Sequence, residues 1–230
     1  MRRFFLYSLL PCFFIQLSSV LISSDIHIDV ITTNDIRGVI EPQKANFMNP
    51  SYPPDIVGGA GFATYINNIS KQKKILLLDA GNFFRGSTFG MADSGMTMIK
   101  WMNKNSYDAI VPGQEDFIFG IENINRLADN AEFPFLASNI RSNGKKKLSD
   151  NIKPFIVKEI SGVKIGIIGI VDSKISDLSL SSNLIGIEII NPLNILDSQV
   201  KELKAIEVDV IIVLTSLGIP YDREEKYKDF

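Results

Sequence analysis

Apolar residues recur along this chain in two alternating patterns, short runs of strand character and longer stretches with helical spacing. Residues 26–33 (IHIDVITT) alternate polar and apolar side chains and then meet Asn34-Asp35, a turn pair, so a strand ending there is expected. Residues 74–79 (KILLLD) form a continuous apolar run of the kind that helices cover on both faces. Residues 107–111, 133–137 and 208–215 read as further strands, and 155–160 with 163–171 flank Ser161-Gly162, a two-residue hairpin connection. Helices are expected over 61–70, after the glycine-rich Gly58-Gly59-Ala60-Gly61, and over 92–103, 122–130 and 192–205. The last begins at Pro192, which a first helical turn tolerates. Strands alternating with helices imply an α/β domain with mostly parallel sheet, and the hairpin mixes antiparallel strands into it. The charge run Gly144-Lys145-Lys146-Lys147 reads as a solvated loop.

Composition supports a packed domain. Hydrophobic residues make up 45% of the 230 positions and Phe alone supplies 15, which excludes a disordered chain. The formal net charge of -2 gives no electrostatic case for nucleic acid or an anionic membrane as partner.

The N-terminus is read separately. Arg2 and Arg3 precede an apolar run over residues 4–22, and Ser23-Ser24 follows, the layout of a secretory signal over residues 1–24. About 20 apolar residues also suffice to span a bilayer, so an uncleaved anchor is the alternative. Pro11 and Gln16 interrupt the run and favour cleavage near Ser24. The expected location is the periplasm, or the outer side of the inner membrane, with membrane contact only through this segment. Cys12, the single cysteine, lies inside it, so a chain beginning after Ser24 has no disulfide or thiol chemistry. Leu9-Leu10-Pro11-Cys12 has part of a lipoprotein signal, but Pro11 before the cysteine argues against lipidation.

In parallel α/β sheets, ligands bind at the carboxyl ends of the strands. Four expected strand ends carry polar clusters: Asn34-Asp35-Ile36-Arg37-Gly38, Asp79-Ala80-Gly81-Asn82, Gly113-Gln114-Glu115-Asp116 and Thr215-Ser216-Leu217-Gly218. Asn, Asp and Gly are common in any turn, so the clusters carry weight as a set.

Their order resembles the calcineurin-like metallophosphatase domain of 5'-nucleotidases and periplasmic UDP-sugar hydrolases. That family reads T-N-D-x-H-G, G-G-x-x-R, L-L-L-D-A-G-D-x-x-x-G, G-N-H-E-F-D-F-G and T-H-x-G in sequence. The matching segments here are Thr33 to Gly38, Gly58 to Phe62, Leu76 to Gly86, Gly113 to Gly120 and Thr215 to Gly218. Shorter echoes are Phe133-Pro134-Phe135-Leu136-Ala137-Ser138-Asn139-Ile140 and Val163-Lys164-Ile165-Gly166-Ile167-Ile168-Gly169. The resemblance implies an αββα layered sandwich of mixed sheets, hydrolysis of nucleotide phosphoesters, and two divalent ions clamping a phosphoryl centre. Such ions lie about 3.5–4 Å apart and activate water.

The departures from the family pattern fall on the metal positions. By resemblance, Asp35 keeps a ligand; Asn82 replaces the bridging aspartate, and Gln114 replaces a ligating asparagine. Arg37 stands at the first-motif histidine, Glu115 at the histidine that supports the leaving group, Ile118 at an aspartate, and Ser216 at the late-strand histidine. A guanidinium has no lone pair to donate and stays protonated. Losing one ligand or neighbouring group typically costs about 10–100-fold in metal affinity or activity. The expectation is therefore a degenerate, inactive domain with no cofactor and no catalytic residues, in which Arg37 pairs with Asp35, Glu115 and Asp116. Two other readings remain open. One is residual hydrolysis with weak binding of Mg²⁺ or Ca²⁺ by Asp35, Asn82, Gln114 and Glu115. The other is a metal-free nucleotide- or phosphate-binding protein using Arg37, with Arg85 nearby.

His27, the single histidine, falls off every motif and reads as a structural residue within the first strand. The family's G-H-x-H motif would fall beyond Phe230, so residues 25–230 are expected to form a partial domain, incomplete at its C-terminal side. The family's C-terminal substrate domain is then absent, and the open sheet edge leaves room for a partner chain.

Overall fold

The computed structural model describes residues 25–175 and 181–217. The expected signal, Cys12, Gly218 and the C-terminal charged segment lie outside the described residues.

Strands β1 (Asp29–Thr33), β4 (Ile75–Asp79), β5 (Ala109–Ile110), β6 (Phe135–Leu136) and β8 (Ile152–Lys153) form one parallel sheet in that spatial order. A second sheet has the order β12 (Val210–Thr215), β10 (Val163–Ile170), β9 (Phe155–Ile160). Here β10 is parallel to β12 and antiparallel to β9. The expected hairpin is present, with Ser161 and Gly162 both at positive φ (54° and 83°), the backbone a tight primed turn requires. Two small antiparallel pairs complete the strands: β2 (Gln43–Lys44) with β3 (Asp55–Ile56), and β7 (Ile140–Ser142) with β11 (Ile187–Ile189).

Period-two patterning in β10 explains why two sheets stack. Ile165 and Ile167 join the large core with Leu76, Leu77, Leu78, Ile110, Phe135 and Leu136 of the first sheet. Ile168 and Ile170, on the opposite face, pack with Leu203 of helix α5 (Leu193–Ala205). At Gly169 the two sheets approach closely: a Cβ there would lie 2.2 Å from Leu136 Cβ. Helices α1 (Gly59–Ser70), α3 (Met96–Lys104) and α4 (Gly120–Asn130) bury Ile66, Met98, Ile99, Met102, Ile121, Ile124 and Leu127 against the same core. The architecture is the expected mixed α/β arrangement.

Local boundaries differ from the sequence pattern for identifiable reasons. The glycine-rich run opens α1 rather than preceding it. Gly58 is its N-cap, Gly59 N–H donates to Ile40 O at 2.6 Å, and a Cβ on Gly59 would meet Trp101 Nε1 at 2.7 Å. The glycines there permit close packing. The helix expected over 92–103 starts late, as α3 at Met96, and a separate short helix α2 (Thr88–Met91) precedes it, with Ser94 and Gly95 at positive φ (56° and 95°) between them. The Asp93 carboxylate accepts from Thr97 N–H (3.0 Å) and hydroxyl (2.6 Å), fixing the new start. Strand β1 starts at Asp29, so His27 is exposed ahead of it rather than within it. In the lysine loop, Lys146 pairs with Glu122 at 2.7 Å and Lys147 with Asp150 at 2.8 Å.

Candidate functional site

The strand ends of the parallel sheet are bound to each other through backbone first. Asp35, Arg37 and Gly38 donate their N–H groups to Gly81 O, Asn82 O and Phe83 O at 2.9, 2.9 and 2.8 Å. This ladder forces Asp35, Arg37 and Asn82 into the left-handed region (φ 51°, 52° and 57°). Aspartate and asparagine visit that region readily, whereas arginine there is uncommon. Gly86 makes room for it: a Cβ at that position would lie 2.7 Å from Arg37 Cβ. The close approach of the next loop likewise requires Gly113, where a Cβ would meet Asn82 Oδ1 at 2.3 Å.

Upon this frame the polar side chains form a closed set. Asn82 Nδ2 donates to Asp35 Oδ1 at 2.9 Å, while Asn82 Oδ1 accepts from Glu115 N–H at 2.9 Å. The backbone donor fixes which end of the carboxamide is oxygen, so the amine end must face the carboxylate. The Arg37 guanidinium lies 3.5 Å from Asp35 Oδ1 and 3.7 Å from Glu115 Oε1. The second Asp35 oxygen accepts from Asn34 Nδ2 at 3.1 Å. Of the residues singled out in the sequence, Asp35, Arg37, Asn82 and Glu115 are therefore brought together. Gln114 is half-buried in the adjoining 3-10 turn, and its carboxamide has no hydrogen-bond partner among the described residues. Ser216 stands apart: its hydroxyl accepts from Asp172 N–H at 3.3 Å, and among the described residues no hydrogen bond or ion pair joins it to the other four.

Asp116 has a different place from the one its charge suggested. It does not meet Arg37; it is fully buried, and its carboxylate accepts N–H groups from Gly113, Asn82 and Phe83 at 2.8, 2.8 and 3.0 Å. Burial pushes its pKa up to about 7 against the pull of those donors. Asp79 also acquires a role that sequence reasoning missed. That side chain is fully buried at the end of β4, accepting from Thr33 Oγ1 at 2.6 Å and Gly81 N–H at 2.8 Å, with Tyr107 Oη 3.0 Å from Thr33 Oγ1. Desolvation raises Asp79 to about 8 and raises the Tyr107 phenol as well. A lone carboxylate ending an apolar strand was the available signal for Asp79.

This donor set does not fit a two-metal centre. Both heteroatoms of Asn82 already have partners, and a cationic guanidinium occupies the approach to Asp35 and Glu115. Among the described residues no group of three or more His, Cys, Asp or Glu side chains is placed to hold a metal ion. A groove of about 340 Å³ adjoins Asp35, walled by Ile40, Val57, Phe62 and Trp101.

The stacked sheets, with the polar loops at the ends of parallel strands, define a calcineurin-like metallophosphatase fold. Among solved structures, the chain superposes on the 5'-nucleotidase precursor from Thermus thermophilus with a TM-score of 0.77 and 23% identity, covering 87% of this chain and 38% of that one. The calcineurin-like phosphoesterase YfkN from Bacillus subtilis matches with a TM-score of 0.65 and 22% identity, over 84% of this chain and 63% of that one. In sequence, the chain is similar to 5'-nucleotidases over most of its described length. The Rattus norvegicus 5'-nucleotidase is 29% identical over 199 residues, 84% of this chain and 34% of the rat protein. The snake venom 5'-nucleotidase of Gloydius brevicauda is 32% identical over 145 residues, 61% of this chain and 24% of that protein. The chain thus spans about a quarter to a third of the length of the curated relatives it matches. No protein-family model matches it. Among the described residues no helix is long and apolar enough to cross a membrane.

Proposed function

We propose that this chain is an exported, metallophosphatase-fold domain that does not hydrolyse phosphate esters. Of the positions that resemble family metal ligands, Asp35, Arg37 and Asn82 instead join Glu115 in an internally paired cluster holding three strand-end loops together. One observation carries this reading: the Asn82 carboxamide spends its amine on Asp35 and its carbonyl on the Glu115 backbone. An incoming cation at Asp35 would have to compete with the Asn82 amine and with the Arg37 guanidinium beside Asp35 and Glu115. Arg37 repels a cation at the same point.

Purified protein assayed with AMP and with UDP-glucose, in Mn²⁺, Mg²⁺, Zn²⁺ or Ca²⁺, is expected to release no phosphate or UMP above background. Metal-dependent turnover that disappears on Asp35→Ala would refute the reading. Calorimetry with each cation is expected to give no binding heat.

A metal-free phosphate site at Arg37 is the weaker reading, because both nearby carboxylates already compete for the guanidinium. AMP or inorganic phosphate raising the melting temperature of the wild type, but not of Arg37→Ala, would favour it.

A further inference from the structure

The groove beside Asp35 has a wall that the paired cluster does not account for. Its lining runs from Thr33 to Trp101, within the described residues. Helix α1 supplies the Phe62 ring and α3 the Trp101 ring, 5.6 Å apart at 37°, and Tyr107 lies 6.4 and 6.1 Å from them. Both rings are partly buried against the core, so the wall is fixed rather than adaptable. The Trp101 indole N–H has no acceptor among the described residues. Glu41 is exposed in the same lining, and its carboxylate has no hydrogen bond or ion pair among the described residues.

We propose that this groove binds a small organic cation, an ammonium group on an apolar frame, held over Trp101 and Phe62 with Glu41 and Asp35 as counter-charges. An aromatic face attracts a cation placed within about 6 Å of its ring centre. Asp35 and Glu41 bring two carboxylates to the lining, which includes no lysine or arginine among the described residues. Adding Glu115 and Arg37, the ion-paired neighbours of Asp35, gives three carboxylates against one guanidinium, a local charge of -2. That charge repels an anion, and a neutral apolar guest would cover the Glu41 carboxylate without pairing it. The apolar walls at Ile40 and Val57 favour a carbon frame over a hydrated metal ion. A volume of about 340 Å³ lies at the lower end of the range for small-molecule sites, roughly 300–1,000 Å³. Binding there requires neither metal nor phosphate, and stands apart from whether the cluster hydrolyses esters.

Trp101 is the single tryptophan of the chain, so tryptophan fluorescence reports on this groove alone. Choline chloride is the probe, titrated into the full chain at ionic strength held constant with NaCl. Its uncharged analogue, with tert-butyl in place of trimethylammonium, is the control. Choline is expected to change Trp101 emission saturably, and the alcohol to bind about tenfold more weakly. Glu41→Gln, at an exposed position, should weaken choline by about threefold. No saturable change with choline, or an equal response to the alcohol, would overturn the proposal. Both comparisons use the wild type, so they decide even if the variant fails to fold. A folded Glu41→Gln protein that binds choline as tightly as the wild type would overturn the counter-charge assignment. Phosphate release from AMP does not read this groove, so the two proposals fail separately.

Discussion

Asn82 donates to Asp35 across 47 residues of sequence, its Nδ2 standing 2.9 Å from Oδ1, and the carboxamide cannot be turned round because Glu115 N–H holds the other end. A neutral amine thus sits against a carboxylate at a position where the resemblance implies a carboxylate and a shared cation. That geometry makes the cluster stable without an ion and sets the behaviour of the variants below.

Asn82→Asp should replace this hydrogen bond with two opposed carboxylate oxygens. The wild-type melting temperature is expected to be insensitive to Mn²⁺. The variant should lose about 1–2 kcal/mol of stability, with part of it restored by millimolar Mn²⁺ or Ca²⁺ as the cation takes the place of the missing proton donor. Differential scanning calorimetry with and without the ions checks both halves. A variant as stable as the wild type in a chelator would contradict the assignment of the carboxamide.

Asp116→Asn should be more damaging than any change at the exposed cluster. Three backbone N–H groups converge on this buried carboxylate, and a carboxamide presents one of its two ends to them as a donor. A loss of about 1–3 kcal/mol is expected in urea unfolding. The loops carrying Asn82 and Gly113 should lose amide protection first.

Asp79 gives a pH dependence whose sign is opposite to the usual acidic case. Its folded pKa, raised by desolvation to about 8, lies above the ordinary value of 3.8, so between those values the folded state holds a proton that the unfolded state has released. Stability from this group is fully present below pH 3.8 and is lost as pH rises through 8. Asp116, raised to about 7, acts in the same direction. Urea midpoints should therefore fall between about pH 5 and about 9. Asp79→Asn, which mimics the neutral acid by donating to Thr33, should flatten that slope and leave stability at the acidic end of the range little changed. A midpoint that rises with pH would show that Asp79 is ionised in the fold.

Gln199 offers a stabilising change away from the site. It is 7% exposed on α5, and its Oε1 is buried without a hydrogen-bond partner. A buried acceptor left unmade costs about 1–3 kcal/mol, so Gln199→Leu should raise stability by roughly 1 kcal/mol after packing losses. Chemical denaturation measures it, and a destabilised leucine variant would mean that water already satisfies the oxygen.

Much of the fold was legible because its signals are local. The run Leu76-Leu77-Leu78 reads as a buried strand, and Ser161-Gly162 between apolar segments as a tight turn, and both are found. The polar strand ends were legible as a set for the same reason. Asp93, by contrast, looks like one polar residue within an apolar helical period, and only its bonds to Thr97 show that a helix starts there. The glycine run reads as a lead-in to α1 because the Trp101 ring that crowds Gly59 is distant in sequence.

The order of side chains along the chain by itself determined which residues stand at each strand end, Arg37, Asn82 and Gln114 among them. Only the tertiary structure decided what they do there. It set Asn82 between Asp35 and Glu115, turned Asp116 inward to cap the loops, and left Ser216 outside the cluster. The physical reason is that hydrogen-bond partners are assigned by loop approach and burial, and residues dozens of positions apart acquire both only when the sheets pack.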